Sequence, residues 1–259
     1  MTALSVVEAD DGWGPTAVPG TATDEDLAAL RDKQEKTPPV TEKEQSSSGQ
    51  LRIAYRLART FSGHILYVAD LKRWHVWDGQ RWAEDITGRC HEYVRQVLHD
   101  AFDEGLHDSE LRQTVRSCQT ANASDGILRL ASTMPELVVT SEDLDADPYL
   151  LNTPAGTFDL RTNTVRPHAP ADRLTKMTRG SCKPEVVYGG DDVPEWYRFV
   201  EQILPDEEVR LYAQVAVGVA LFGAVREQLF FVMTGTGANG KSVFVNTVLT
   251  ALGDFGLAA

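Results

Sequence analysis

The sequence lacks any apolar run that approaches the roughly 18 residues of a membrane-spanning helix. Its first residues (MTALSVVEADDGWG) lack both the basic region and the long apolar region of a signal peptide. Cysteine is scarce and forms no C-x-x-C pair, so neither a disulfide framework nor a zinc site is expected of Cys90, Cys118 and Cys182. Together these absences predict a cytoplasmic protein without a membrane partner.

Basic residues are also in short supply. The chain has 25 Lys and Arg against 38 Asp and Glu, a formal net charge of −13. Nucleic acid is therefore not expected to wrap around the whole surface, because phosphate neutralisation needs clustered cations. Residues 1–50 hold ten acids and four bases, a net charge of −6, which leaves −7 on the other 209 residues. A local basic patch remains compatible with that balance.

The composition divides the chain into three predicted parts. Residues 1–49 are rich in Asp, Glu, Thr, Ser, Pro and Gly and poor in large apolar groups, which predicts a disordered acidic tail, with a short helix at Asp24–Lys36 as the alternative for that segment. Order is expected to begin near Leu51. Residues 50–222 form the second predicted domain and residues 223–259 the third.

The second domain opens with a predicted helix, LRIAYRLARTF. Arg52, Arg56 and Arg59 fall on one face of it, at spacings of four and three residues. A solvated face is the simpler interpretation, and a stripe that contacts phosphates is the alternative.

Strands joined by a two-residue Asp78-Gly79 turn are predicted next, in ILYVADLKRWHVWDGQRWAED. This pattern places His75, Trp77 and Trp82 on one face. Packing in a core or interface is the favoured role of these rings, and stacking of nucleic-acid bases is the alternative.

Helices are predicted over residues 88–118 and over Ser124–Thr133. His91 and His99 are eight residues apart and lie outside an H-E-x-x-H pattern, so no metal site is expected there. Beyond them, Thr157–Leu160 and Val165–His168 alternate like a hairpin, with Asn163 at a turn position.

Two further helices follow the Gly/Asp-rich connector from Pro184 to Pro194. The first has Trp196, Phe199, Val200 and Ile203 at helical spacing. The second runs from about Glu207 to Phe222 behind an Asp206 cap, and because it is apolar nearly all round it is predicted to be buried.

The pattern G-x-x-x-x-G-K-[ST] occurs once near the end of the chain. It lies between a predicted buried strand, Leu229–Thr234 (LFFVMT), and a predicted helix, Ser242–Leu252, and this order is typical of a phosphate-binding loop. A Gly-rich connection with a solvated lysine is the alternative. The predicted nucleotide-binding residues are Gly235, Thr236, Gly237, Ala238, Asn239, Gly240, Lys241 and Ser242.

Each part of such a loop has a physical role. Backbone N–H groups curl round phosphate oxygens, and the following helix presents its positive end to the anion. Lys241 would bridge the β- and γ-phosphates of ATP, and the Ser242 hydroxyl would bind Mg²⁺.

Hydrolysis needs more than this loop, because a carboxylate must hold the metal and an arginine must stabilise the transition state. Asp254 is the sole acid among the 17 residues after Ser242. The predicted strand is apolar on both faces, as in a central parallel strand, yet has few candidate partners. These features predict a truncated ATPase domain that does not turn over ATP efficiently by itself.

From Tyr149 onward the sequence resembles the phage/plasmid primase–helicase family. The resemblance covers residues 51–257 and is most specific around Arg226–Asp254. The matching stretches are YVADLKRWHVWDGQRWAED, LLNTPAGTFDLRTNTVRPHAPADRLTKMTR, WYRFVEQILP and REQLFFVMTGTGANGKSVFVNTVLTALGD. Ala155 and Asn163 depart from the family pattern, where Asn and Gly are common, and both departures fall in turns.

The resemblance implies an α+β helicase-associated domain followed by the first strand, loop and helix of an AAA+-like α/β P-loop NTPase domain. It implies a ring-forming, ATP- and Mg²⁺-dependent DNA helicase of phage, plasmid or prophage replication, with single-stranded or forked DNA as its partner. The Walker B acid, the sensor and the arginine finger would lie beyond Ala259, and the primase-polymerase domain of some relatives is missing, so primer synthesis is not expected. Two alternatives stay open: a non-catalytic module that binds DNA or a partner, and one half of a split helicase.

Overall fold

The computed structural model describes residues 39–105, 108–181, 194–224, 228, 231–235 and 237–256. The helix predicted at 24–36 lies outside these residues. So does the predicted connector, apart from Pro194, where a helix begins.

Ordered structure begins before the predicted start at Leu51. Helix α1 (Glu42–Ser46) is capped by Thr41, whose hydroxyl accepts a hydrogen bond of 3.2 Å from the Glu44 N–H. Helix α2 (Gly49–Phe61) follows, as the arginine-bearing periodicity predicts. The prediction of disorder up to residue 49 is therefore wrong for α1, which is held by the contacts of Glu44 described below.

Four strands form the first sheet, in the order β3-β2-β1-β4. Strands β1 (Ile65–Val68), β2 (Arg73–Trp77) and β3 (Trp82–Glu84) are antiparallel, and β4 (Val138–Val139) lies parallel to β1. Trp77 pairs directly with Trp82, so the predicted two-residue turn is wrong and four residues connect the strands. The Asp78 carboxylate stabilises this longer turn by accepting the N–H groups of Gln80 and Arg81, each at 2.8 Å.

Three helices lie between β3 and β4. They are α3 (Arg89–Glu104), α4 (Ser109–Cys118) and α5 (Ala121–Ala131), in agreement with the helical periodicity. Asp108 caps α4 and Thr120 caps α5 through side-chain oxygens that accept backbone N–H groups. The break between α3 and α4 is thus marked by a residue suited to an N-cap.

The two faces of the first sheet are buried against different partners. One face packs with helices α2 to α5 into the main core, and the other packs into a smaller cluster that contains Trp82. The largest fully buried apolar side chains of these two clusters are Trp82, Ile53, Leu57, Ile65, Ile127 and Leu137.

A second, antiparallel sheet has the order β5-β6-β7. Strands β6 (Gly156–Asp159) and β7 (Thr164–Arg166) confirm the predicted hairpin, and Asn163 adopts a left-handed φ of 56° in its turn. Strand β5 (Leu150–Thr153) extends this hairpin to three strands. With the first sheet and its helices, it confirms a mixed α/β architecture.

Hydrogen bonds join the first sheet and its turn to the second sheet and to the segment that follows β7. The Trp82 indole N–H donates to the Pro170 carbonyl at 2.9 Å, and the Trp82 backbone N–H donates to the Leu174 carbonyl at 2.8 Å. The Asn152 side-chain amide of β5 donates to the Gln80 carbonyl at 3.1 Å. Trp82 is therefore a buried packing residue, as favoured above, and is not available to stack a base.

The last helices are α6 (Pro194–Ile203), α7 (Glu207–Ala220) and α8 (Lys241–Leu252). Asp206 caps α7 as predicted, accepting N–H groups of Glu208 and Val209. The prediction that α7 is buried is wrong: Leu211 is 61% exposed and Tyr212 is 60% exposed, because no described element covers this face. None of the helices in the described ranges combines the length and the hydrophobicity needed to cross a bilayer.

His75 predicts a pH dependence of stability. Burial lowers the pKa of His75, and this effect outweighs the opposing attraction of Glu84, its cross-strand neighbour. The pKa of a histidine in the unfolded chain is about 6.5. Above that pH the His75 imidazole is neutral in both the folded and the unfolded chain. As the pH falls through this value the unfolded chain takes up the proton first, so stability is lost on acidification towards the depressed folded-state pKa.

Thermal unfolding at pH 7.5 and pH 5.5 measures this effect. We expect the melting temperature to fall at the lower pH, and to fall less in a His75→Gln variant. His99→Gln is the matched control, because the His99 side chain is 77% exposed and should leave the pH dependence intact. An unchanged pH dependence in His75→Gln would contradict this assignment.

Candidate nucleotide-binding site

The candidate loop runs from Gly235 to Ser242, with Thr236 outside the described residues. At its end, the Lys241 ammonium turns back towards the loop. It donates to the Asn239 side-chain oxygen at 2.7 Å and to the Gly235 carbonyl at 3.3 Å. A cation is thus held between the two ends of the glycine-rich segment, at the point where a phosphate-binding loop needs one.

The backbone of the loop leads directly into α8. Ala238 and Gly240 have left-handed φ values of 59° and 80°, and the first helical residue is Lys241. The N–H groups of the first helical turn have no partner within their own helix. They and the dipole of α8 make this end of the helix suited to an anion.

Helix α6 packs against the loop. A Cβ atom at Gly240 would lie 2.6 Å from Ile203 Cγ2 and 3.1 Å from a ring carbon of Phe199. One turn earlier, the Trp196 ring stacks on Phe244 of α8, with centroids 5.7 Å apart and planes at 16°. Sequence periodicity identifies the apolar face of α6 but does not indicate that this face supports the loop.

The segment before the loop differs from the prediction. Phe231–Thr234 forms no strand, and Phe231 and Val232 are 51% and 68% exposed. Leu229 and Phe230 lie outside the described residues. The predicted buried strand is therefore wrong for its described part, because no described strand lies beside it to complete a sheet.

Asp254 occupies the opposite end of α8. It is 12 residues beyond Ser242, about 18 Å along a helix at ~1.5 Å per residue. Its carboxylate is also engaged, by an ion pair with the Arg81 guanidinium and a hydrogen bond of 3.1 Å from the Met177 N–H. Asp254 is consequently not the carboxylate that would hold a magnesium ion at Ser242.

The residues present fit the phosphates of a nucleotide. Lys241 supplies the cation, α8 supplies its N-terminus, and Ser242 is exposed beside them at the second position of the helix. A bound Mg²⁺ would take the Ser242 hydroxyl as one ligand. Within the described parts of the chain, no group of three or more His, Cys, Asp and Glu side chains could hold a metal ion.

The arginine face of α2 is occupied by carboxylates. Arg52 pairs with Asp108 at 3.1 Å, Arg59 pairs with Glu44 at 2.7 Å, and Arg56 pairs with Glu104 and more distantly with Glu44. Arg56 is only 7% exposed, so the solvated-face interpretation is wrong for it. The three arginines are neutralised within the fold, which argues against a phosphate-contacting stripe there.

The described residues form a mixed α/β domain that continues into a glycine-rich loop and the helix α8. The family model described as "D5 N terminal like" matches residues 54–205, more than half of the chain. The chain belongs to this family.

Three viral proteins show similarity to the chain. It is 28% identical over 144 residues to "Putative helicase 121R" of Invertebrate iridescent virus 3, which covers 56% of the chain and 15% of that protein. It is 31% identical over 112 residues to "Putative helicase L207/L206" of Acanthamoeba polyphaga mimivirus, covering 43% of the chain and 12% of that protein. "Putative helicase 184R" of Invertebrate iridescent virus 6 is 23% identical over 133 residues, covering 51% of the chain and 14% of that protein. The aligned part is thus a small share of each viral protein.

Proposed function

We propose that the chain is the nucleotide-binding part of a primase–helicase-type replication protein. Its loop at 235–242 binds the phosphates of ATP, with Lys241 on the β- and γ-phosphates and Ser242 on Mg²⁺. When a Walker B acid, a sensor and an arginine finger are supplied, the assembled ring uses ATP to unwind DNA. Residues 50–222 act as the helicase-associated domain and residues 223–259 belong to the ATPase domain.

Membership of the D5 N terminal-like family and the helicase names of the viral relatives support the replication role. The observation that carries nucleotide binding is the position of the Lys241 ammonium, between Gly235 and Asn239 at the N-terminus of α8. A merely solvated lysine would have no reason to lie between the two ends of the loop.

The exposed face of α7 favours a second candidate function. Leu211, Tyr212 and Val215 are each more than half exposed, and an apolar face of this kind is typical of an interaction surface. The chain could then act as a non-catalytic partner-binding module, or as one half of a split helicase whose other half supplies the catalytic residues. ATP turnover by the chain alone would argue against both of these readings.

We expect the purified chain to bind a fluorescent ATP analogue weakly and to show no measurable turnover. In Lys241→Ala the dissociation constant should rise at least about tenfold, since about 1.4 kcal/mol of lost phosphate interaction has this effect. In Ser242→Ala the enhancement of binding by Mg²⁺ should be lost. Equilibrium titration with and without Mg²⁺ measures both effects.

Lys72→Gln is the matched control, because it removes an exposed ammonium from the turn before β2. It should bind the analogue like the parent chain. Equal loss of affinity in Lys72→Gln and Lys241→Ala would show that the analogue binds through the overall positive charge of the chain and not through the loop. Turnover that disappears in Lys241→Ala would show that the catalytic carboxylate is present in this chain.

A further inference from the structure

Helix α8 carries the nucleotide loop at its N-terminal end, whereas its buried residue lies at the other end. All 12 residues of Lys241–Leu252 are described, and of these Leu252 alone is buried. Isolated helices shorter than about 12–15 residues are marginally stable in water. The stability of α8 therefore depends on the α6 contact at the loop and on the contacts that hold its far end.

Backbone hydrogen bonds fasten the last turn of α8 to the segment that follows the second sheet. The Ala251 carbonyl accepts the N–H groups of Arg179 and Gly180 at 3.1 and 2.9 Å. The Asp254 N–H donates to the Met177 carbonyl at 3.0 Å, and the Met177 N–H donates to the Asp254 carboxylate at 3.1 Å. The last carbonyl groups of a helix have no partner within the helix, and here another part of the chain supplies one.

The segment that receives α8 is itself fixed to the second sheet. Thr178 is only 5% exposed, and its N–H donates to the Asn152 carbonyl of β5 at 2.9 Å. The Asn152 side chain donates in turn to the Gln80 carbonyl, in the turn between β2 and β3. All three residues lie in the region that matches the D5 N terminal-like family, residues 54–205. The far end of α8 is thus docked on that region.

Gly253 permits the close approach of the two backbones. Its φ is 57°, and a Cβ atom there would lie 2.6 Å from the Met177 carbonyl oxygen and 2.8 Å from the Arg179 nitrogen. Both neighbours are backbone atoms, which cannot rotate away as the end of a side chain can. A residue with a Cβ atom at this position would therefore push the helix away from the segment.

An ion pair from the first sheet completes these contacts. The Arg81 guanidinium, in the turn between β2 and β3, pairs with the Asp254 carboxylate, although 173 residues separate the two in sequence. The Arg81 side chain is 28% exposed and that of Asp254 is 49% exposed. We call the contacts of Ala251, Gly253 and Asp254 with Arg81 and residues 177–180 the α8 joint.

We propose that the α8 joint positions the nucleotide loop, with Arg81 and Asp254 as positioning residues. The joint fixes one end of α8 to the D5 N terminal-like region, and Lys241 and Ser242 lie at the other end of the same helix. The effect on nucleotide rests on the proposed function, whereas the anchoring of α8 does not. Because coupling between two sites is reciprocal, bound nucleotide and a closed joint should favour each other by the same factor.

Hydrogen exchange of the full chain without nucleotide tests the anchoring. We expect exchange in α8 to become about threefold faster in Arg81→Gln, a typical effect of a partly exposed ion pair. In Gly253→Ala it should become at least about tenfold faster, because the strained φ adds to the clash. The acceleration should reach the Phe244 N–H, which bonds to the Gly240 carbonyl at 2.9 Å in the first turn. Acceleration confined to the last turn would be a local capping effect and would overturn the proposal.

Titration with a fluorescent ATP analogue, well below the melting temperature, tests the effect on the loop. The dissociation constant should rise about threefold in Arg81→Gln. Conversely, saturating analogue should slow exchange of the Met177 and Arg179 N–H groups in the parent chain by at least about threefold, as reciprocity requires. A variant that is merely less stable would melt earlier and leave the affinity unchanged.

Arg95→Gln is the matched control, because it removes an exposed arginine that pairs with Glu92 at 2.6 Å on α3. It should alter neither exchange in α8 nor affinity, and circular dichroism should show every variant folded. Protection of the loop by the analogue without protection of Met177 and Arg179 would overturn the proposal and leave nucleotide binding intact. If the parent chain binds no analogue, the proposed function fails, and exchange without nucleotide alone decides whether the joint anchors α8.

Discussion

Replacement of Glu44 by alanine is expected to lower the free energy of unfolding by about 3 kcal/mol, the lower end of the range for breaking a buried ion pair. Glu44 is 2% exposed, and its two carboxylate oxygens accept hydrogen bonds of 2.7 and 3.3 Å from Arg59. Arg56, also buried, lies 3.7 Å from the same carboxylate. Without it, two buried guanidinium groups lose a counter-charge that water cannot easily replace.

Thermal and urea unfolding of the full chain measure this prediction. A loss of about 3 kcal/mol corresponds to a fall in melting temperature of roughly 6–12 °C for a domain of this size. Glu42→Ala is the matched control, because Glu42 is exposed on the same short helix and undergoes the same change in helix propensity. It should change stability by less than about 1 kcal/mol.

A Glu44→Gln variant separates charge from shape. It keeps the size of the side chain and part of its hydrogen bonding, so its stability should fall between the parent chain and Glu44→Ala. Equal stability of Glu42→Ala and Glu44→Ala would show that α1 does not pack on α2 in solution.

Glu44 also illustrates what local sequence patterns can and cannot predict. The helical period of α2 is visible in the spacing of its apolar and arginine residues, and α2 forms as predicted. The counter-charges of those arginines are not visible, since Glu44 lies 15 residues before Arg59 and Asp108 lies 56 residues after Arg52. Sequence periodicity indicates which residues share a face of a helix. It does not indicate which residues elsewhere in the chain pack against that face.

The same division applies to the hairpins. Asn163 marks a turn that needs a left-handed residue, and β6 and β7 form on either side of it. Asp78-Gly79 carries an equally strong turn signal, yet Trp77 pairs with Trp82 and lengthens the turn. The burial of Trp82, with its indole N–H on the Pro170 carbonyl, favours this register, and Pro170 is 88 residues away in sequence.

Around the nucleotide loop, the sequence pattern predicts the loop residues and the helix that follows. Helix α8 forms over Lys241–Leu252, one residue earlier than the predicted start at Ser242. The apolar patterns of α7 and of Phe231–Thr234 predict burial that the described residues do not provide. An apolar sequence indicates that a segment tends to be buried. Which element buries it can be identified only from the structure. The packing of α6 on the loop is likewise a tertiary contact without a local signal.

That contact leads to the second large expected effect. Gly240→Ala should destabilise the loop by about 2–3 kcal/mol and weaken binding of an ATP analogue more than tenfold. A left-handed backbone costs a residue with a Cβ atom roughly 1–2 kcal/mol. In addition, the new Cβ would lie 2.6 Å from Ile203 Cγ2, so α6 or the loop must move. Either movement displaces Lys241, the neighbouring residue, from its position between Asn239 and Gly235.

A double-mutant cycle with Ile203→Ala separates the two causes. Truncation of Ile203 removes Cγ2 and opens space for the new methyl group, but it leaves the left-handed φ of 80° unchanged. Gly240→Ala/Ile203→Ala should therefore be less destabilised than the sum of the single variants, by about 1 kcal/mol, and should recover part of the nucleotide affinity. Gly237→Ala is the control for stability alone: a Cβ at Gly237 would meet nothing within 4 Å, but Gly237 itself belongs to the proposed nucleotide-binding loop. Strict additivity in the cycle, with no recovery of nucleotide affinity in the double variant, would assign the whole effect to backbone strain and would show that α6 does not support the loop.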